Sequence, residues 1–262
     1  MSNALTTLLS EAPTPDSSPV MMIDAAQYAQ RVLLQDSAVP WHDATEYSNH
    51  LGQAQALLKP AVAFIPLDRM LVSEMQANTE LCEAMGARSR TGYAAKTLLA
   101  DEAIRQKAFN IVATAVKTQR EPVVLQLPSP HALLTMTDRV VDPASTTEFD
   151  DDQAESTAIY LADWLRTFAD LDITGIIFDV RARSEPIGSY QPIFNTAEHY
   201  QWPIGRRRAN EVQFVSPDTV VQVADWSELG SISGPGVYFT EVPVDAVPED
   251  VLSQLAALRG GA

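Results

Sequence analysis

The chain has 262 residues, 46% of them hydrophobic and 20% charged, which is apolar material enough for a large core and argues against global disorder. Lys plus Arg number 18 against 34 Asp plus Glu, a net charge of −16, so a surface that coats DNA, RNA or an anionic membrane is not expected. The only cysteine is Cys82, which excludes an intrachain disulfide.

The N-terminus shows no basic segment leading into an apolar run, so a secretory signal is not expected. No stretch reaches the roughly 18 apolar residues of a membrane span. A cytoplasmic protein is the resulting expectation. The soft or borderline metal ligands are His42, His50, His131, His199 and Cys82, without CxxC, HxC or HExxH spacing, so neither a dedicated zinc site nor a cofactor is expected. A carboxylate-bound magnesium stays open, because Asp and Glu are abundant.

In chain order, residues 1–19 read as a flexible lead-in whose Leu5, Leu8 and Leu9 offer apolar contacts. From Ile23 to Leu58 the pattern is helical in two pieces, with Asp24 as N-cap of the first and Pro40 ending it. The second piece carries Tyr47, Leu51, Ala54, Leu57 and Leu58 at helical spacing. Residues 61–65, between Pro60 and Pro66, form a continuous apolar run of the kind buried on both faces of a parallel sheet. A helix over 96–117 and a strand over 123–127 follow. The acidic stretch from Asp142 to Glu155 reads as a solvated loop that lends negative charge to the next helix N-terminus. Further strands are expected at 173–180, 212–215, 220–223 and 237–239, and a last helix starts at Pro248.

Strands alternating with long helices imply βα units. Neither GxGxxG nor GxxxxGK[ST] occurs, which argues against a doubly wound nucleotide-binding sheet. The expectation is one α/β domain over 20–262, a (β/α)8-type TIM barrel, incomplete or truncated because only six strands stand out, with a helical N-terminal segment.

Several strands end in polar residues, and in a barrel those ends share one mouth. Asp179 follows an apolar run, where desolvation would raise its pKa and suit it to acid–base work or to clamping a substrate. A structural partner for Arg181 or Arg183 is the competing role. Asp68 with Arg69 invites the same pair of readings. His131, just past a Pro-Ser-Pro turn, is placed to move a proton or, more simply, to cap the next helix. No GxSxG elbow supports Ser129 as a nucleophile. Arg206, Arg207 and Arg208 concentrate positive charge that suits a carboxylate or phosphate, while a subunit contact or links to the Asp150 cluster explain them equally well. Tyr190, Phe194, His199, Tyr200 and Trp202 fit a pocket wall or a subunit interface.

Three stretches carry a family resemblance: EPVVLQLPSPHALL from Glu121, AIYLADWLRTFADLDITGIIFDVR from Ala158, and Thr219 to Leu255 with its VVQVADW strand and VPED helix start. In their order they resemble the later strands of the uroporphyrinogen decarboxylase and cobalamin-independent methionine synthase superfamily of α/β barrels. Phe64 to Gly86 is similar to the decarboxylase segment in which a strand ends at an essential aspartate and Ala-Met-Gly follows, which would make Asp68 that residue. The chain departs from the family in two places. Only Arg31 precedes residue 60 where the decarboxylases have an early arginine pair, and the His and Cys zinc ligands of the methionine synthase branch are missing. Taken together with the residues at the strand ends and loops, the resemblance leads to a metal-independent, decarboxylase-like lyase acting on a small carboxylated metabolite as the first expectation. Asp68, Asp179 and His131 would be its catalytic residues, and Arg69, Arg181, Arg206 and Tyr190 would bind substrate. A homodimer is expected. A zinc-free methyl or alkyl transferase, and a noncatalytic relative that binds a ligand or a protein partner, are the rival readings.

Overall fold

The computed structural model describes residues 3–11, 18–183, 185–232 and 234–259. Eight strands form one sheet: β1 (Val20–Asp24), β2 (Ala63–Pro66), β3 (Val123–Pro128), β4 (Gly175–Asp179), β5 (Ile204–Arg207), β6 (Glu211–Phe214), β7 (Thr219–Val223) and β8 (Val237–Glu241). Their order, β1-β8-β7-β6-β5-β4-β3-β2, brings β1 and β2 round toward each other in a nearly closed barrel. Among the described residues one backbone bond crosses that seam, from the Ala61 N–H to the Met21 carbonyl at 2.8 Å.

Helices fill most connections. The chain opens with α1 (Ala4–Ser10), and α2 (Ala26–Leu33) and α3 (Ala44–Leu58) join β1 to β2. Between β2 and β3 come α4 (Leu67–Ala77), α5 (Thr79–Met85), α6 (Tyr93–Ala100) and α7 (Glu102–Thr118). α8 (Pro130–Val141) and α9 (Asp151–Leu165) join β3 to β4, α10 (Gln191–Tyr200) precedes β5, and α11 (Pro248–Leu258) follows β8.

Several expectations need correction. The eightfold βα repeat is broken, because β6 runs antiparallel to both β5 and β7. Residues 208–210 and 215–218 are the links on either side of it, far shorter than the dozen or so residues of a parallel crossover. Val20–Asp24 is a strand, so Asp24 ends β1 and Ala25 is the boundary residue of the first helix, whose first N–H, that of Ala26, donates to Asp24 Oδ1 at 3.2 Å. That helix stops at Leu33, before Gln35 and Asp36 turn left-handed at φ 52 and 62, and not at Pro40. The 96–117 helix is two helices, split where extended Asp101 caps α7 by accepting from the Ile104 N–H. The acidic stretch behaves as read: Asp150 caps α9 and forms a reciprocal box with Gln153.

Alternate strand residues face the barrel interior, where Met22, Phe64, Val124, Ile177, Val212, Phe214, Val221 and Phe239 form one buried cluster. The intervening residues, such as Ile65, Leu125, Ile176 and Phe178, pack outward on the helices. Of the 1–19 segment, residues 1–2 and 12–17 lie outside the described residues, and α1 sends Leu5 and Leu9 into the interior cluster. A Cβ on Gly175, the first residue of β4, would lie 2.4 Å from Leu5 Cδ2, so α1 plugs the end of the barrel where the strands begin. Leu5→Ala is expected to cost about 2–5 kcal/mol in urea unfolding, the range for a large-to-small change at a fully buried site.

Candidate active site at the barrel mouth

Two residues beyond the interior cluster, the same faces of the strands carry Asp24, Gln126, Asp179, Arg207 and Glu241, which places them at the mouth where the strands end. Four of these join Arg181 in a chain of alternating charge. Arg207 donates to Asp24 at 2.8 Å and to Glu241 at 2.5 Å, and Arg181 donates to Glu241 at 2.7 Å and to Asp179 at 2.6 Å. Arg207 is 2% exposed and Asp24 3%, and the guanidinium lies 4.5 Å from the centre of the Phe239 ring. The expected rise in the Asp179 pKa does not occur. Desolvation pushes the carboxyl up, but the hydrogen bonds from Arg181 and the charges of Arg181 and Arg207 outweigh it and hold Asp179 below the usual range. Asp179 is thus the ion-pair partner of Arg181, and hydrogen bonds to Asp179 and Glu241 raise the Arg181 pKa in turn.

A cavity of about 930 Å³ opens beside this network, lined by the edge strands at the seam (Ile23, Asp24, Phe64, Pro66), by α2 and α3, and by Asp68 and Arg69. α4 starts directly after Pro66, which sets Asp68 in its first turn. Gln126 Nε2 donates to Asp68 Oδ2 at 3.2 Å, while Oδ1 is shielded from solvent and has no partner among the described residues. Burial pushes this carboxyl up to about 6; the charge of Asp24 adds to the rise, and Gln126 and Arg69 oppose it. Arg69 lines the same cavity and enters none of the ion pairs among the described residues. A carboxyl with a raised pKa therefore neighbours a guanidinium that has no carboxylate partner among the described residues, in a protein rich in carboxylates.

α3 forms the opposite wall. Asp43 caps it by accepting from the Thr45 and Glu46 N–H groups, and Lys59 ends it in a left-handed conformation at φ 47 before Pro60. Tyr47, His50, Leu51, Ala54, Gln55 and Leu58 of this helix line the cavity, with Trp41 stacked on Tyr47 at 4.7 Å between ring centres. Burial lowers the His50 pKa and raises that of Tyr47, so both are neutral at physiological pH. Of these wall residues only His50 was named from sequence for chemistry, as a possible metal ligand. The usable signal was a histidine and a glutamine on an otherwise apolar helix face.

The remaining candidates lie elsewhere, in a buried polar cluster outside the barrel. Glu185 accepts from Tyr190 Oη at 2.8 Å and, through a very short bond, from Ser129 Oγ, which also caps α8. Burial raises the pKa values of both Glu185 and Tyr190. Arg206 donates to the Glu185 carbonyl at 3.0 Å and to Gln213 at 2.9 Å, bracing the loop after β4. His131 sits in the first turn of α8, 3% exposed, with Nε2 3.1 Å from Asp151. Neither His131, Tyr190 nor Arg206 lines the mouth cavity. Arg208 pairs with Glu211 at 2.9 Å. Tyr190, Phe194, Tyr200 and Trp202 are stacked into the core that joins α10 to the sheet.

Among the described residues no group of three His, Cys, Asp or Glu converges as a metal-ligand set, and no helix is long and apolar enough to cross a membrane. No model of a known protein family, no curated protein and no solved structure matches this chain.

Proposed function

We propose that the protein is a decarboxylase-like lyase acting on a carboxylated molecule bound in the mouth cavity. The observation that carries the reading is the pairing of Asp68, with its solvent-shielded, unpartnered Oδ1, and the unpaired Arg69 in that one cavity. A carboxyl titrating near 6 is poised to give up a proton close to neutral pH. In the reaction the bond from carbon to the leaving carboxylate breaks, its electron pair stays on the carbon, and CO₂ departs. The Asp68 proton ends on that carbon, and Asp68 regains a proton from solvent. The departing group loses its charge on the way to CO₂, so an ion pair to it would favour the ground state. Arg69 is better suited to a second, retained carboxylate. Arg181 is tied into the strand-end network instead, because Asp179 and Glu241 take its donors. The similarity of Phe64–Gly86 to the decarboxylase segment supports the same assignment of Asp68.

The test is CO₂ release from a panel of di- and tricarboxylic acids. Arg69→Met should raise KM far more than it lowers kcat. Losing a hydrogen bond to a charged group costs about 1.5–3 kcal/mol, or roughly tenfold to a hundredfold. Acids that bind at the cavity without releasing CO₂ would overturn the lyase reading in favour of a noncatalytic binder.

A further inference from the structure

The mouth cavity is larger than a small acid needs. At about 930 Å³ it lies near the top of the roughly 300–1,000 Å³ range of pockets that enclose drug-sized ligands. A short dicarboxylate at Arg69 would leave most of that space to water. The walls also differ in what they offer. On α3 the lining side chains are all buried, so that wall closes the cavity and presents little surface to a ligand.

The open wall belongs to α4 and α8. α4 starts directly after β2 and α8 one residue after β3, and these strands are parallel neighbours, so the two helices leave the mouth side by side. Arg69, Val72, Ser73 and Gln76 recur at the spacing that places side chains on one face of α4. All four line the cavity and keep part of their surface accessible. Ala132 and Met136, four residues apart on α8, do the same. Val72 is 39% exposed, whereas Leu67, Met70, Leu71 and Met75 of the same helix are buried. α4 is thus anchored to the core without Val72, whose apolar surface faces the cavity. The row also has a direction, because Gln76 lies about 10 Å along the helix axis from Arg69 at 1.5 Å per residue.

We propose that the slot between α4 and α8 holds the apolar chain of the substrate, with its carboxylate at Arg69, its methylenes against Val72, Ala132 and Met136, and its end near Gln76. The substrate class is then an acid with an apolar chain about 10 Å long, and not a small metabolite. For the lyase reaction the head carries both carboxylates and the chain is their substituent. This deepens the reading of the mouth cavity and rests on Arg69 as the anion anchor.

Straight-chain monocarboxylates carry the anchored group without an activated leaving group, so calorimetric titration with butyrate, hexanoate and octanoate reads binding alone. 1-Octanol supplies the chain without the anion. Wild-type affinity should rise about fourfold per added methylene, the equivalent of about 0.8 kcal/mol. Val72→Trp fills the slot and should spare butyrate while abolishing the gain for octanoate. Val72→Gln should flatten the series without filling the slot. Both changes fall at an exposed position and should leave the melting temperature unchanged. Equal affinity for the three acids, lost in Arg69→Met, would overturn the slot and leave the Arg69 reading standing. A chain-length gain that survives both Val72 variants would also overturn the slot. Octanol bound as tightly as octanoate, sensitive to Val72→Trp and with Arg69→Met without effect on the acids, would overturn the Arg69 anchor and keep the slot. No binding of any probe would overturn both.

Discussion

Arg207→Met is expected to lower the unfolding free energy by about 3–5 kcal/mol, the cost of leaving a buried charge without its partner. Asp24 is the carboxylate stranded by the change: it is 3% exposed, and Arg207 is its ion-pair partner at 2.8 Å. At roughly 2–4 °C per kcal/mol for a chain near this size, the melting temperature should fall by roughly 6–20 °C. The double variant Asp24→Leu with Arg207→Met should be more stable than Arg207→Met alone, since it removes the orphaned carboxylate along with the cation. Equal stability of the single and double variants in urea unfolding would show that the pair does not hold β1 against β5.

Asp68→Asn should move stability and activity in opposite directions. The folded-state pKa of Asp68, about 6, lies above the ordinary aspartate value, so the folded protein binds this proton more tightly than the unfolded chain does. The stability linked to that proton is fully present below about pH 4 and is lost as pH rises through about 6. Asparagine carries no charge to desolvate. The variant should therefore match wild type at pH 4 and exceed it by about 2–3 kcal/mol at pH 7–8, at 1.36 kcal/mol per pKa unit. Turnover should fall by roughly 10²–10⁴, the usual contribution of a positioned acid. In the wild-type protein the rate should decline above about pH 6 as the proton donor is lost. A variant that is less stable than wild type at pH 8, or as active, would show that Asp68 is an ordinary structural carboxylate.

The parts of the fold that could be read from sequence are those in which local pattern and final environment agree. The apolar runs at β2, β3 and β4 are buried on both faces in the structure, and each reads as a strand in isolation. β5 is different. Its IGRR sequence looks like a basic loop, and its arginines are buried only because Asp24, Glu241 and the Glu185 carbonyl arrive from distant parts of the chain. β1 was hidden because Ile23 and Asp24 run straight into the helical pattern of α2. The reversal at β6 was legible in principle: residues 216–219 between the expected strands 212–215 and 220–223 leave no room for a crossover.

The site divides in the same way. Asp68, Arg69, Asp179 and Arg181 were chosen as polar residues following apolar strands, and all four line the mouth cavity. Which carboxylate keeps a raised pKa depends on where the arginines point, and no spacing rule encodes that. Arg181 folds back on Asp179 two residues away, whereas Arg69 leaves its neighbour Asp68 unpaired. His131 opens α8 after β3, Tyr190 directly precedes α10 and Arg206 lies within β5, and all three belong to the helix-packed side of the sheet, away from the mouth.

The central claim is that the mouth cavity binds an anion through Arg69 beside a protonatable Asp68. Its most direct test is isothermal titration of a dicarboxylate that stabilises the wild-type protein against heat, repeated with Arg69→Met at pH 5 and pH 8. The account predicts saturable binding to wild type that weakens at pH 8, when Asp68 is ionised, and a loss of roughly tenfold or more in the variant at both pH values. Binding that is indifferent to Arg69 and to pH would contradict it.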